Sequence, residues 1–292
     1  MAYIRTIVRI IACCVLFGGC ALLQPYGQSD TVQRIENVEY SQIHTRNRMD
    51  LFLPVGQDQY PTVVFVHGGW WRNQSKTYWR PFTGLYWNVG LALARQGIAT
   101  AVIDYRIYPE GQIREQLNDV RRSIAWVQHN IHAYGGNPQA VFVAGHSAGG
   151  HLALLAGCDP DSDLRGVIAL SPVLDLEYLF AHESAEFQDE VLYPVFGTDR
   201  ELWRAYDPVQ KLNSACAPVQ IMVGTQDYPV IQVPARALES GSTNANSGES
   251  IVWIPDRTHE DMVLDIYTEN DLITDSMVAF IRSHNSTPQT RP

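Results

Sequence analysis

Basic residues are scarce in this sequence, which has 21 Lys and Arg residues against 31 Asp and Glu and a formal net charge of −10. The basic residues also form no local cluster. Because a nucleic-acid-binding protein needs a basic surface to meet the phosphate backbone, we expect no nucleic-acid partner. Charged residues make up only 18% of the chain and hydrophobic residues 46%. This composition excludes a disordered chain and is sufficient for one large core.

Long apolar runs are also missing. The run at residues 10–17 is too short to span a bilayer. Two arginines precede it and Gly18-Gly19-Cys20 follows it, an order typical of a bacterial lipoprotein signal over residues 1–19, with Cys20 lipidated. This predicts an exported protein, at the outer membrane or facing the periplasm, anchored to the membrane through Cys20, with residues 20–36 as a tether. An ordinary secretory signal and a buried N-terminal helix remain alternatives.

Cysteine is infrequent, with five residues, three of which lie in the N-terminal segment. Cys158 and Cys216 remain for the body of the protein. Their number permits one disulfide in an oxidising compartment, but we favour two free buried thiols. Neither cysteine has the ligand spacing of a metal site, and we predict no metal.

The most informative stretch is Gly145-His146-Ser147-Ala148-Gly149. An apolar, β-branched run at 141–144 precedes it, and a small-residue, helix-forming run at 151–156 follows it. Strand, sharp turn with a central serine, and helix is the context that a nucleophile elbow requires. The pattern therefore predicts Ser147 as a nucleophile.

Apolar runs that end in turn residues alternate with helical periodicity along the rest of the chain. The predicted buried strands are 61–66, 98–104, 166–171, 218–224 and 250–255, and the predicted helices are 85–96, 113–132, 233–238 and 270–283. Two early strands or a hairpin fit residues 37–53. Alternating strands and helices predict an α/β fold whose mostly parallel central sheet carries helices on both faces. The domain is predicted at 37–285, with a small helical, cap-like insertion at about 176–206 and a loose tail at 286–292.

Polar residues follow the predicted strands at their carboxyl ends, where ligands of parallel sheets gather. Ser147, Asp227 and His259 occur in this order, each after its own strand. A serine hydroxyl needs a base to activate it and a carboxylate to orient that base. We therefore predict these three residues as a catalytic triad that needs no metal and no cofactor. Asp175 is the less favoured alternative for the acid.

Two glycines follow the first buried strand, and their flexible backbone suits them to bind an oxyanion. We predict the N–H groups of Gly68, Gly69 and Ala148 as the donors, with His67 supporting the glycine loop. The aromatic residues that follow, beginning with Trp70 and Trp71, either pack the core or line a substrate pocket. Aromatic residues near position 178 in the insertion are candidates to close the same pocket. Asp104 and Asp207 are interpreted as structural carboxylates.

These motifs resemble the α/β-hydrolase superfamily over about residues 37–285. His67-Gly68-Gly69-Trp70-Trp71, Asp104-Tyr105-Arg106 and the Ser147 elbow are similar to the His-Gly-Gly esterases. That group includes hormone-sensitive-lipase-like carboxylesterases, feruloyl and acetyl esterases, and kynurenine formamidases. Lipases of this type have a third glycine where this chain has Trp70, so the resemblance favours small or aromatic acyl substrates.

The resemblance implies a serine carboxylic-ester hydrolase acting on a small-molecule ester through an acyl-enzyme. Two alternatives remain open from the sequence. The first is an arylformamidase, which uses the same groups on a C–N bond. The second is a catalytically silent binding protein on the same scaffold. The sequence does not predict the oligomeric state.

Overall fold

The computed structural model describes residues 30–78, 84–159, 162–213, 215–241 and 249–285. The predicted signal, the lipidated Cys20 and the tail at 286–292 lie outside these ranges. No helix within them is long and apolar enough to cross a membrane.

Eight strands form one sheet in the order β1-β2-β4-β3-β5-β6-β7-β8. Strands β3 to β8 are mutually parallel, and β2 pairs antiparallel with both β1 and β4. The strands are β1 Val32–Glu39, β2 Arg48–Pro54, β3 Tyr60–Val66, β4 Ala99–Ile103, β5 Gly136–His146, β6 Gly166–Leu170, β7 Val219–Gly224 and β8 Ser250–Ile254.

The prediction of a mostly parallel α/β sheet is confirmed, but the start of the sheet was placed too late. Residues 32–36, predicted as the end of a tether, belong to β1. Val32 pairs with Pro54 and Ile35 with Leu51 of β2. Polar residues on the exposed side of this edge strand made the segment look like a linker.

Helices cover both faces of the sheet. The longer helices are α1 Trp87–Arg95, α2 Ile113–Asn130, α3 Ala148–Gly157, α4 Leu176–His182, α5 Pro229–Glu239 and α6 Leu272–Asn285. Apolar residues of α2, α3 and α5 share one core with Val64, while those of α1 and α6 share the other with Val63 and Phe65. Alternate residues of β3 thus enter opposite cores, which explains its uninterrupted apolar sequence.

The chain between β6 and β7 contains no strand among its described residues. After α4 it forms short helical segments at Ala185–Phe187, Gln188–Leu192, Tyr193–Phe196, Arg200–Trp203, Arg204–Tyr206 and Pro208–Lys211. This segment, with α4, is called the insertion below. Leu179, Leu192 and Trp203 are buried within it and join the core that contains α3.

Cys158 and Cys216 form a disulfide, so the prediction of two free thiols was wrong. Cys158 follows the last residue of α3, and Cys216 lies in the turn before β7. The Ala217 N–H donates to the Gly157 carbonyl (3.0 Å), which brings the two segments together beside the cysteines. Tertiary pairing of these segments, which cysteine spacing does not reveal, places the two sulfurs within bonding distance.

Candidate active site

Ser147 lies on a sharp turn between β5 and α3. Its backbone has φ 56° and ψ −121°, a left-handed conformation that is strained for a residue with a side chain. A Cβ atom on Gly149 would lie 2.1 Å from the Val66 carbonyl oxygen, so only glycine lets the turn approach β3 this closely. Ala148 begins α3, and its N–H therefore has no acceptor within the helix. The turn presents the serine hydroxyl and a free backbone donor together.

Asp227 and His259 meet across the ends of β7 and β8. His259 Nδ1 lies 2.9 Å from Asp227 Oδ1, and both side chains are buried. The Tyr228 N–H donates to the same carboxylate oxygen (2.7 Å), and the Ser171 hydroxyl donates to Asp227 Oδ2. With its two oxygens engaged, the carboxylate is held in place to accept from His259 Nδ1.

A cavity of about 630 Å³ opens above these groups, and both Ser147 and His259 line it. Gly69 and Trp70 form one wall, and residues of the insertion form another. Within the described ranges no hydrogen bond joins the Ser147 hydroxyl to the His259 ring. In ligand-free serine hydrolases this contact often tightens only when substrate binds. The structure therefore brings Ser147 and His259 to one pocket, with Asp227 hydrogen-bonded to His259.

The glycine loop after β3 supplies its donors differently from the prediction. The Gly68 N–H donates to Tyr86 Oη (3.2 Å), and Tyr86 in turn donates to Gln74 Oε1. Gly69 has φ 110° and lines the cavity, while its carbonyl accepts from the Asn73 N–H (2.9 Å) on the far side of the turn. The Gly69 N–H has no acceptor among the described residues. Gly69 and Ala148 thus fit the oxyanion role, whereas Gly68 holds the loop in position.

His67 supports this loop as predicted. Its Nε2 lies 3.4 Å from Asp104 Oδ1, and its ring stacks on Tyr105. Arg46 also approaches Asp104 (3.4 Å). Burial favours protonation of Asp104, but the hydrogen bond and charge of His67, together with Arg46, outweigh it and hold the pKa of this carboxyl below its ordinary value. Asp104 is therefore an anionic structural support behind the loop.

Two other buried histidines are neutral. Burial, assisted by the nearby charge of His259, lowers the pKa of His146 to about 3, and burial lowers the pKa of His151 to the same value. His146 Nε2 donates to the His259 carbonyl (3.0 Å), which fixes the backbone at His259. His151 Nε2 donates to the Tyr206 carbonyl (2.8 Å). Both rings position neighbouring segments.

The two tryptophans after the glycines have different roles. Trp70 lines the cavity, and its ring packs edge-on against Phe187 of the insertion, with centroids 4.9 Å apart. Trp71 is fully buried, its indole N–H donates to His151 Nδ1 (3.3 Å), and its ring contacts Phe196. The prediction of Trp71 as a pocket residue was therefore wrong. Trp71 joins the glycine loop to the base of the insertion.

Asp175 and Asp207 lie together at the start of α4. The Tyr178 N–H donates to Asp175 Oδ1 (2.8 Å), so Asp175 caps this helix rather than contacting His259. Asp207 is buried, and burial together with the neighbouring Asp175 raises its pKa to about 7. Both carboxylates are structural, and Asp227 takes the position beside the histidine. The described residues contain no group of three or more His, Cys, Asp or Glu side chains suited to a metal ion.

A family model, that of BD-FAE, matches residues 49–240 of this chain. The chain belongs to the BD-FAE family. The matched region runs from β2 to α5 and contains Ser147 and Asp227, whereas His259 lies beyond it.

Relatives of this BD-FAE member are named as esterases and a formamidase. Isoprenylcysteine alpha-carbonyl methylesterase from Arabidopsis thaliana is 26% identical over 84% of the chain, which spans 62% of the length of that relative. Esterase LipC from Mycobacterium tuberculosis is 30% identical over 61% of the chain and 47% of its own length. Kynurenine formamidase from Danio rerio is 23% identical over 85% of the chain and 82% of its own length.

Solved structures confirm the α/β-hydrolase fold. A truncated carbohydrate esterase from gut microbiota has a TM-score of 0.77 at 18% identity, covering 89% of this chain and 99% of its own. Esterase B from Lactobacillus rhamnosis, solved with a tributyrin phosphonate inhibitor, has a TM-score of 0.75 at 19% identity, covering 97% of this chain and 93% of its own.

Two residues that hold this site together were not predicted from the sequence. Ser171 follows β6 and donates to Asp227, and its place at a strand's carboxyl end was a usable signal. Tyr86 precedes α1 and accepts from Gly68. It was visible only as one ring in an aromatic cluster, and nothing in the sequence separates its role from packing.

Proposed function

We propose that this protein is a serine carboxylic-ester hydrolase acting on a small or aromatic ester through an acyl-enzyme. The observation that carries the proposal is the Asp227–His259 hydrogen bond (2.9 Å), because His259 lines the same cavity as Ser147. The named esterases among its relatives support the same chemistry.

The first step forms the acyl-enzyme. His259 Nε2 takes the proton of the Ser147 hydroxyl as the serine oxygen attacks the ester carbonyl carbon. Asp227 stabilises the resulting imidazolium through Nδ1. The carbonyl oxygen becomes an oxyanion, which accepts from the N–H groups of Gly69 and Ala148. As the intermediate collapses, the C–O bond to the alcohol breaks, and His259 returns its proton to the leaving oxygen.

The second step repeats this chemistry with water. His259 takes a proton from a water molecule, whose oxygen attacks the acyl carbon and forms a second oxyanion in the same position. The bond to Ser147 then breaks, and His259 protonates the serine. Free acid and the original enzyme result, with no cofactor in either step.

The wall formed by Trp70 and Phe187 supports the substrate class. The two rings close one side of the cavity directly beside Gly69. A flat aromatic or short acyl chain fits against such a wall, whereas a long acyl chain needs an open channel there. A series of 4-nitrophenyl esters tests this: kcat/KM is expected to fall beyond a short acyl chain. A continued rise to long chains contradicts the proposed substrate class.

An active-site-directed probe tests the enzyme assignment. A fluorophosphonate reacts only with an activated serine, so wild-type protein is expected to become labelled at Ser147 and lose ester turnover together. Ser147→Ala is expected to show neither labelling nor turnover. If folded wild-type protein is not labelled at Ser147, the result favours the alternative of a catalytically silent binding protein.

Arylformamidase activity is a second candidate, since the zebrafish kynurenine formamidase aligns over most of both chains. N-formylkynurenine assayed beside the nitrophenyl esters distinguishes the two. We expect esters to have the higher kcat/KM, because no Lys or Arg among the described residues lines the cavity to hold the carboxylate of that amino acid. A higher value for N-formylkynurenine favours the formamidase.

We also propose that the protein is exported and lipid-anchored through Cys20. The disulfide Cys158–Cys216 supports the export, because such bonds persist in oxidising compartments. Radiolabelled palmitate is expected to enter the wild-type protein in bacterial cells and not the Cys20→Ser variant. Equal labelling of both excludes this anchor.

A further inference from the structure

The cavity that Ser147 and His259 line contains two carboxylates that have no cationic partner in the part of the chain that the structure describes. Glu183 follows α4 in the insertion, and Glu260 follows the catalytic histidine. Glu260 Oε1 accepts from the Tyr228 hydroxyl (2.8 Å), and neither glutamate forms an ion pair within the described part of the chain.

Aromatic rings from three separate segments line the same cavity. Trp70 comes from the glycine loop, Tyr178 and Phe187 from the insertion, and Tyr228 from the turn after β7. Contacts keep the rings in place: Trp70 against Phe187 (4.9 Å) and Tyr228 against His259 (5.1 Å). Tyr178 stacks on His182, with centroids 3.9 Å apart.

Aromatic faces and carboxylates both attract a cation, the first through the ring quadrupole and the second through charge. A cavity with both groups, and with no Lys or Arg among the described residues that line it, repels an anionic substrate. The net charge of −10 adds a field of the same sign around the opening. These features predict selection by charge, separate from selection by size at Trp70.

We propose that this cavity is selective for esters that carry an ammonium group, which Glu183 and Glu260 attract and the surrounding rings contact, and that it discriminates against esters that carry a carboxylate. The proposal rests on the esterase function proposed above. The ammonium group belongs to the part of the substrate beyond the scissile carbonyl and takes no part in bond making or breaking.

Matched esters of equal shape test the selectivity. Acetylcholine is compared with 3,3-dimethylbutyl acetate for charge on the alcohol. The 4-nitrophenyl ester of 4-(trimethylammonio)butyrate is compared with that of 5,5-dimethylhexanoate, and with that of anionic glutarate, for charge on the acyl group. Each kcat/KM is divided by the hydroxide-catalysed rate of the same ester, which removes the inductive effect of the charge.

For the wild-type protein we expect the normalised kcat/KM of the cationic ester to exceed that of its neutral isostere by about three- to thirty-fold in at least one series, as expected for a cation against aromatic rings. The glutarate ester is expected to be the poorest. The preference should shrink as salt is raised from 0.02 to 0.5 M, because exposed charges are screened. A ratio at or below one in both series overturns the proposal.

Variants then test the assigned residues. Glu183→Gln and Glu260→Gln are each expected to lower the cation-to-neutral ratio, and the double variant to bring it near one. Glu186→Gln is the matched control, because this exposed glutamate lies in the insertion but does not line the cavity, and it should keep the wild-type ratio. An unchanged ratio in the double variant overturns the assignment. Absence of turnover with every ester contradicts the esterase proposal instead, so the two failures are distinguishable.

Discussion

Two aspartates at the carboxyl edge of the sheet differ in what their carboxylates contact. Asp227 accepts from His259, Tyr228 and Ser171. Asp175 accepts from the Tyr178 N–H and caps α4. A carboxylate that orients the base matters to the reaction, whereas one that caps a helix matters to stability.

Replacing each aspartate by asparagine separates these roles. Asp227→Asn is expected to lower kcat by about 10⁴-fold, because the amide favours the wrong tautomer of His259. Asp175→Asn should change kcat little, since asparagine also caps helices. Steady-state kinetics on a nitrophenyl ester with both variants checks this, and a severe loss in Asp175→Asn with a mild one in Asp227→Asn would reverse the assignment.

The meeting of Ser147, Asp227 and His259 at one edge could be predicted because each residue lies in the segment after a strand, and strand ends in a parallel sheet meet at one edge. The roles of Gly68 and Trp71 could not. The Gly68 N–H can face either the pocket or the hydroxyl of Tyr86, and which of the two it faces depends on where Tyr86 lies in the folded chain. Likewise, Trp70 and Trp71 are adjacent in sequence, both with positive φ, yet one lines the cavity and the other is buried.

The glycine loop illustrates how one element depends on another for its shape. Gly68, Tyr86 and Gln74 form a hydrogen-bonded chain that joins the start of the loop, the segment before α1 and the end of the loop. Burial raises the pKa of Tyr86 to a value far above neutrality, so its hydroxyl stays protonated and can both accept and donate.

Removing this hydroxyl tests its positioning role. Tyr86→Phe is expected to lower kcat about ten-fold with little change in KM, because a displaced Gly69 N–H weakens the oxyanion contact but not ground-state binding. Tyr60→Phe is the control, since it removes a hydroxyl that bonds the Tyr134 carbonyl away from the site. A matched rise in KM with unchanged kcat would assign Tyr86 to substrate binding.

Asp207 gives the base of the insertion a pH-dependent stability. Because its pKa is about 7 when folded and near 4 when unfolded, the folded state holds more protons between these values, and stability falls as pH rises through this range. The loss of folding stability caused by ionised Asp207 is fully present above pH 7 and absent below pH 4.

Asp207→Asn removes this loss of stability, because asparagine does not ionise, and it keeps a carbonyl oxygen for the backbone donors. Relative to wild type, the free energy of unfolding of the variant should rise by about 2–3 kcal/mol more at pH 8 than at pH 5. Urea denaturation at both pH values measures it. Asp189→Asn, an exposed carboxylate of the insertion, is expected to show no such pH-dependent gain.

At the scale of the whole molecule, the order of strands and helices could be predicted because each apolar run has a length and periodicity typical of one element type. The predicted strand at 61–66 is observed at Tyr60–Val66, and the predicted helix at 113–132 is observed at Ile113–Asn130. Contacts between segments that are distant in the sequence leave no such pattern of length or periodicity. The disulfide is the clearest case, since it joins residues 58 positions apart.

That disulfide links the end of α3, the helix that follows Ser147, to the turn before β7, the strand that precedes Asp227. It closes a loop of 58 residues, which restricts the unfolded chain and corresponds to about 2–4 kcal/mol of stability. Cys158→Ala/Cys216→Ala is therefore expected to lower the melting temperature by about 5–15 °C. Since the bond lies at the opposite end of α3 from Ser147, kcat at 25 °C should change less than three-fold.

Wild-type protein treated with dithiothreitol should melt like the double variant, whereas the variant itself should not respond to reductant. Equal melting temperatures for oxidised wild type and the double variant would show that the α3–β7 junction is held by the surrounding core, and that the bond adds no stability.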